Sequence, residues 1–251
     1  MTLQRILRRR FERQIGFLRA RLSAEGLFGL HLTIGGVAII AGAWLFGGVA
    51  EDLITGDPLT VFDVVVSDWF KGHATLSFTV WMARVSDLAS PSAVLGFCVV
   101  GSIVLLWKRQ WYALLALMLA VPGGIVLNLL LKMTFARARP GWANVDLWGF
   151  SFPSGHTMTA TLVYGFIAVF CFVFVAPSLF WRALSVVEVF LIIGAIGFSR
   201  IYLGAHYFSD VVAAFAAGTA WLAICLTAVE TLRRHRRRLC TRPIDQASRD
   251  R

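Results

Sequence analysis

The sequence predicts an all-α integral membrane protein, a bundle of six spans with an N-terminal amphipathic helix. Three observations carry this. Of 251 residues, 58% are hydrophobic and only 15% charged, against roughly 25% charged in a soluble domain. The apolar residues gather in six runs, each near the ~20 residues that cross the hydrocarbon of a bilayer. The arginines crowd the two ends of the chain instead of spreading over a surface.

Taken in order, residues 1–26 place Leu3, Ile6, Leu7, Phe11, Ile15, Leu18 and Leu22 at helical spacing, with arginines filling the other face. That pattern predicts a basic amphipathic helix lying on the membrane surface, on the cytoplasmic side. A cleaved signal peptide fits less well. The apolar run that follows is too long for an h-region, and no small-residue cleavage site closes it. Residues 27–231 hold the six predicted spans, at about 27–50, 90–107, 111–131, 155–176, 183–199 and 209–231. Residues 232–251 form a basic cytoplasmic tail whose last stretch, from about 239, is polar enough to predict disorder.

Topology follows from lysine and arginine placement. Both termini are basic, the link after the second span carries Lys108 and Arg109, and the link after the fourth carries Arg182. With six spans and both termini cytoplasmic, all four regions fall on one side. The first connection on the other side, 51–89, is acidic: Glu51, Asp52, Asp57, Asp63, Asp68 and Asp87 stand against Lys71 and Arg84. Within it Phe62, Val65, Val66, Trp69 and Phe70 recur at helical spacing, which fits either a helix in the outer interface or a cap packed over the bundle. Either could wall a route for lipid entry.

The net charge of +10 does not indicate nucleic acid as a partner. Basic clusters flanking apolar spans set topology and attract anionic membrane lipids. Cys98, Cys171 and Cys225 lie within apolar runs and Cys240 in the tail, with neither metal-ligand nor disulfide-framework spacing,.

Three polar islands interrupt the apolar pattern: Lys132–Pro140, Pro153–His156 and Ser199–Asp210. The first closes the third span, the second opens the fourth and the third joins the fifth to the sixth, so the predicted topology brings them to one non-cytoplasmic face. Pro153-Ser154-Gly155-His156 opens a helix, where unpaired backbone N–H groups and the positive dipole end make an anion site. Taken alone, it fits an ordinary serine cap beside an incidental histidine equally well. His206 and Asp210 are four residues apart. If the sixth helix begins near Gly204 they share a face, where the carboxylate can orient one imidazole nitrogen and leave the other as a nucleophile. As a lone pair they would read more simply as interfacial polar groups. Lys132, Arg137, Arg139 and Arg200 add positive charge on the side where the positive-inside bias disfavours it, and a phosphate is the electrostatic reason for placing it there.

Together, Lys132-x6-Arg139-Pro140, Pro153-Ser154-Gly155-His156 and Ser199-Arg200-x5-His206-x3-Asp210 resemble the three-part signature of the type 2 phosphatidic acid phosphatase superfamily. That superfamily also contains bacterial polyprenyl-diphosphate phosphatases and vanadium-dependent haloperoxidases. The resemblance implies that His206 attacks phosphorus and forms a phosphohistidine, with Asp210 positioning its ring. It implies that His156 protonates the leaving oxygen and later helps activate water. Lys132, Arg139, Arg200, Ser154 and the Gly155 N–H would hold the phosphate oxygens, with neither metal nor other cofactor. Arg137 would contact the phosphate or a second anionic group. His31 and His73 are read as non-catalytic, and Glu188, within the fifth span, has no assigned role.

The expected function is hydrolysis of a lipid phosphate or diphosphate at the periplasmic face of a bacterial inner membrane. Undecaprenyl diphosphate, phosphatidate, phosphatidylglycerophosphate and lipid A phosphates all fit the motifs, which read the phosphate and not its lipid. A lipid transporter would place polar or broken helices near the midplane, whereas these ionisable groups gather at span ends. A catalytically silent lipid-binding relative would be expected to lack one of the two histidines, and both are present.

Overall fold

The structure, a computed structural model, describes residues 29–56, 58–143, 149–172 and 178–241. The predicted surface helix at the N-terminus and the last residues of the tail lie outside them. The described residues form eight α-helices and no strand: α1 Leu30–Thr55, α2 Pro58–His73, α3 Leu76–Asp87, α4 Pro91–Trp107, α5 Trp111–Phe135, α6 Gly155–Phe170, α7 Leu179–Tyr202 and α8 Phe208–Thr241. Five stretches among them are long and apolar enough to cross a membrane: α1, the run Leu76–Trp107 that contains α3 and α4, α5, α7 and Phe208–Leu239 of α8. The fourth predicted span appears as α6, apolar but only 16 residues long.

Burial marks α6 as a core element. It packs against α5, α7 and α8, and Met158, Ala160 and Leu162 are wholly enclosed. The helix is a core element whose neighbours, more than lipid, surround it. Its partner α8 presents Ala213, Ala214, Ala216 and Ala217 as buried contacts, small side chains of the kind that let helices approach closely in a membrane. On the other side of α8 runs α1, and two glycines set their separation. A Cβ at Gly35 would overlap Thr227 Oγ1, and one at Gly42 would lie 2.7 Å from the Ala216 carbonyl oxygen. Neither site has room for a side chain.

The acidic connection folds into two helices, α2 and α3. The burial of α2 is inverted relative to a soluble amphipathic helix. Its enclosed residues are Asp63 and Ser67, while Val61, Phe62, Val64, Val65 and Trp69 face outward. Such a helix hides polar groups from an apolar surround and lays its apolar face towards lipid. The polar side is turned to α7 and α8, against which α2 packs.

At the opposite end, α8 runs on past the predicted limit of 231 to Thr241. Glu230 pairs with Arg233 and Arg234, each at 2.7 Å, one helical turn ahead. Such i, i+3 and i, i+4 pairs carry the helix beyond the apolar stretch.

Candidate active site

The turn between α7 and α8 builds the centre of the site. Gly204 takes a left-handed φ of +67°, which ends α7 and reverses the chain. The N–H groups of Ala205 and His206 both donate to the carbonyl of Arg200, at 3.0 and 3.2 Å. The helix start near Gly204 that would set His206 and Asp210 on one face is therefore not found, and α8 begins next to the predicted span limit of 209. The helix starts at Phe208, and His206 sits in the turn, not on a helix face. Asp210 is the third residue of α8, and its Oδ2 accepts from the Tyr207 N–H at 2.9 Å, half of a capping box. That backward reach brings His206 and Asp210 together by a different route from a shared helix face, with Nδ1 and Oδ2 3.5 Å apart.

Both residues are almost entirely enclosed. Ser151 Oγ donates to Asp210 Oδ2 and lies 3.4 Å from His206 Nδ1. Across the ring, Arg139 Nη1 stands 3.3 Å from His206 Nε2. A guanidinium can only donate, so Nε2 must carry the lone pair and Nδ1 the proton, which points at the carboxylate. Burial pushes the His206 imidazole down to about 4, with Arg139 and Lys132 adding to the fall and Asp210 opposing it. The ring is neutral at pH 7, with its free electron pair beside a cation.

Arg139 is fixed by the backbone. Its Nε donates to the Gly149 carbonyl at 3.0 Å and its Nη1 to the Ala205 carbonyl at 2.8 Å. Burial lowers its pKa and Asp210 opposes the shift. Lys132, in the last turn of α5, donates to the carbonyls of Phe150 at 2.5 Å and Ser151 at 3.3 Å. Arg200, at the end of α7, is buried and donates from Nη1 to Ser86 Oγ at 2.6 Å. Its Nε is enclosed and bonds no protein atom. An oxyanion would satisfy such a group.

The second island opens α6 as predicted. Ser154 is the N-cap, its Oγ accepting from the Thr157 N–H at 3.4 Å and the Thr157 hydroxyl at 3.0 Å. Its own N–H donates to the Asp210 carbonyl at 3.1 Å, tying the start of α6 to the start of α8. A Cβ at Gly155 would come within 3.4 Å of Asn128 Oδ1 and 3.9 Å of Lys132 Cε. His156 follows in the first turn, within electrostatic range of Arg200, His206, Arg139 and Lys132. The predicted residues thus converge at one end of the bundle, remote along α5 and α8 from the basic links and tail.

Arg137 departs from expectation. Instead of standing ready for a second anion, it bridges two carboxylates. Nη1 lies 2.6 Å from Asp210 Oδ1 and Nη2 lies 2.8 Å from Asp63 Oδ2. The Tyr207 ring covers it, 4.2 Å from Cζ. Burial acts to lower its pKa, but Asp210 and Asp63 prevail and raise it above the ordinary value. Asp63, Ser151 and Asn128 are the residues that sequence reasoning missed. In sequence Asp63 reads as one acidic charge among several in its connection, although its place among the apolar residues of α2 is a signal. Asn128 donates to the Pro153 carbonyl at 3.4 Å, and a buried amide in an apolar span was likewise readable. Ser151 had no sequence signal. His31 sits near Thr231 and Glu230, His73 stacks on Trp69 and Glu188 faces outward on α7, all outside this cluster.

Comparison with known proteins decides the family. The PAP2 superfamily model matches residues 111–234, a stretch containing all three islands. Phosphatidylglycerophosphatase B of Bacillus subtilis is 35% identical over 143 residues, which is 55% of this chain and 68% of that protein. The chain belongs to the PAP2 superfamily. It is an integral membrane member of that family. A crystal structure described as the first transmembrane PAP2-type phosphatidylglycerolphosphate phosphatase from Bacillus subtilis superposes with a TM-score of 0.67 at 26% identity, covering 74% of this chain and 94% of that one. The Aquifex aeolicus LpxE structure shares the fold, with a TM-score of 0.52 at 23% identity over 66% of this chain and 94% of its own. The matched PAP2 stretch excludes α2, and with it Asp63.

Proposed function

We propose that the protein is a lipid phosphate phosphatase that works through a phosphohistidine on His206, without a metal. One observation carries the reading. A neutral, buried imidazole has Nδ1 turned to Asp210 and Nε2 turned to the Arg139 guanidinium. That is the arrangement of a nucleophile aimed at an anion.

In this reading the phosphate binds among Arg139, Lys132, Arg200, Ser154 and the Gly155 N–H that opens α6. These groups spread and neutralise its equatorial charge, the main demand of phosphoryl transfer. His206 Nε2 forms the bond to phosphorus as the bond to the lipid oxygen breaks. The protonated form of His156 gives its proton to that leaving oxygen. The imidazolium of phospho-His206 keeps its Nδ1 proton against Asp210. A water molecule then attacks phosphorus, His156 takes a proton from it, and inorganic phosphate leaves as His206 regains its electron pair.

The substrate is a lipid with a terminal phosphate or diphosphate. Phosphatidylglycerophosphate, the substrate class named for the Bacillus subtilis relative, stands beside phosphatidate and undecaprenyl diphosphate. Six spans with both termini in the cytoplasm, α6 being the short fourth, would place the site at the periplasmic face of a bacterial inner membrane. The positive-inside bias of Lys108, Arg109, Arg182 and the Arg233–Arg238 end supports that orientation,. The outward apolar face of α2 supports lipid at the rim of the site.

The purified protein in detergent should release inorganic phosphate from at least one of these lipids, and EDTA should leave the rate unchanged. Loss of activity in EDTA would contradict the metal-free mechanism. Failure to release phosphate across the whole panel would contradict the phosphatase reading.

A further inference from the structure

Asp210 and Asp63 are both buried carboxylates, carried on helices far apart in sequence. Between them lies Arg137, one guanidinium nitrogen on each. Ser209 closes the arrangement: its N–H donates to Asp63 Oδ1 at 2.9 Å, its hydroxyl donates to Asp63 Oδ2, and the same hydroxyl accepts from Arg137 Nη1 at 2.7 Å. Asp210 is then held on both oxygens. Oδ1 takes Arg137, while Oδ2 takes Ser151, the Tyr207 N–H and the His206 side.

We propose that Asp63 and Arg137 are positioning residues that seat Asp210, and through it His206, so that α2 is part of the catalytic unit. The assignment rests on the phosphatase reading above and adds a helix that lies outside the matched family stretch. A bidentate arginine shared by two carboxylates has little rotational freedom. With Arg137 pinned by Asp63, the Asp210 carboxylate cannot turn away from the imidazole. Without Asp63, Arg137 keeps Asp210 and Ser209 but loses the anchor on its other nitrogen, so Oδ1 of Asp210 is held less firmly while Oδ2 keeps its own partners. Outer partners of this kind orient a reactive group without touching the substrate. Arg137 is committed to Asp210, Asp63 and Ser209 and covered by Tyr207, which accounts for its place in the first motif better than contact with phosphate.

The test uses the full chain in detergent with phosphatidate as substrate. Asp63→Asn preserves shape and removes one charge, and Arg137→Lys preserves charge and removes the fork. Each should lower kcat by about 10–100-fold, the usual loss for an outer orienting partner. KM and inhibition by inorganic phosphate should stay within about twofold, because no ground-state phosphate contact is lost. In an Asp210→Asn background, Asp63→Asn should cost little more, since both act through one carboxylate. Ser209→Ala, a smaller change, should lower kcat in the same direction and keeps the test open should either charge variant fail to fold.

A kcat equal to that of the unaltered protein in Asp63→Asn would overturn the assignment, leaving the pair as a pin that holds α2 down. So would a raised KM and weakened phosphate inhibition in Arg137→Lys, which would mark Arg137 as a phosphate ligand. Full additivity with Asp210→Asn would do the same. No phosphate release by the unaltered chain from any lipid of the panel would instead sink the phosphatase reading, and this assignment with it. Activity in the unaltered chain with unchanged variants sinks the assignment alone.

Discussion

Arg139 Nη1 lies 3.3 Å from Nε2 of His206, and this one approach fixes both the proton and the direction of the imidazole. Because the guanidinium has no acceptor, the proton of the neutral ring lies on Nδ1. The electron pair and the positive charge then face the same small region. Arg139→Ala should lower kcat/KM by about 10²–10³-fold, as loss of a preorganised charge at a developing oxyanion does. Arg139→Lys should recover only part of it, since a single ammonium cannot reproduce the fork. Steady-state kinetics on the three proteins measure this, and equal rates for Lys and Arg would contradict it.

The protonation of His206 sets an acid limit. Burial holds its pKa near 4, so the nucleophile of the proposed mechanism is available above that value and is lost as pH falls through it. In the free enzyme, kcat/KM should show no acid limb from this group near 6.5, its ordinary value. It should fall about tenfold per pH unit below about 4. Stability has a matching sign. The unfolded histidine binds its proton near 6.5 and the folded one near 4, so the unfolded state holds more protons between these values. His206 therefore contributes a loss of stability as pH drops through that window and none above it. Melting temperature against pH, compared with a His206→Ala variant, isolates that share.

Asp210→Asn removes the carboxylate that opposes the downward shift, so the acid limb should move to lower pH. The same change lets an amide N–H face Nδ1 and favours the opposite tautomer. In serine-protease triads a wrong tautomer costs on the order of 10⁴-fold in kcat, and a loss of about 10³–10⁴-fold is expected here by the same reasoning. Rates and pH profiles read together distinguish the two effects. An undiminished rate would show that Asp210 does not orient His206.

Gly204 is the backbone counterpart of that orientation. Its φ of +67° is strained for any residue with a side chain, at about 1–2 kcal/mol. A Cβ there would also lie 2.9 Å from the Trp142 ring. Gly204→Ala should lower both melting temperature and kcat, because the turn that it makes delivers His206 two residues later. Gly56 also has positive φ, at +78°, but no atom within 4 Å of a built Cβ, so Gly56→Ala should lower stability less and leave kcat unchanged.

The apolar runs were legible because span length and charge exclusion are properties of contiguous sequence, and α4, α5 and α7 begin or end within a few residues of the predicted limits. The three islands were legible because their spacing is diagnostic. What escaped depended on pairing across the chain. Asp63 and Asp210 are separated by more than half the sequence, and nothing local to Asp63 names Arg137 as its partner. The apolar run puts the sixth span at 209, next to the observed start of α8 at Phe208, and only the condition that its helix reach back to Gly204, suggested by the i, i+4 spacing of His206 and Asp210, fails. A turn with a capping carboxylate brings the same pair together. The face of α2 could be drawn from periodicity, but which side is inward depends on whether lipid or water lies outside, and here the polar side is the buried one.

The most direct measurement is phosphate transfer to the protein itself. Incubation with a lipid radiolabelled at its terminal phosphate, quenched in alkali and digested, should yield a labelled peptide containing His206, stable to base and labile to acid. His206→Ala should carry no label and release no phosphate, whereas His156→Ala should retain label longer than the unaltered protein as hydrolysis slows. Phosphate release by His206→Ala at the unaltered rate, or label on a residue other than His206, would contradict the account.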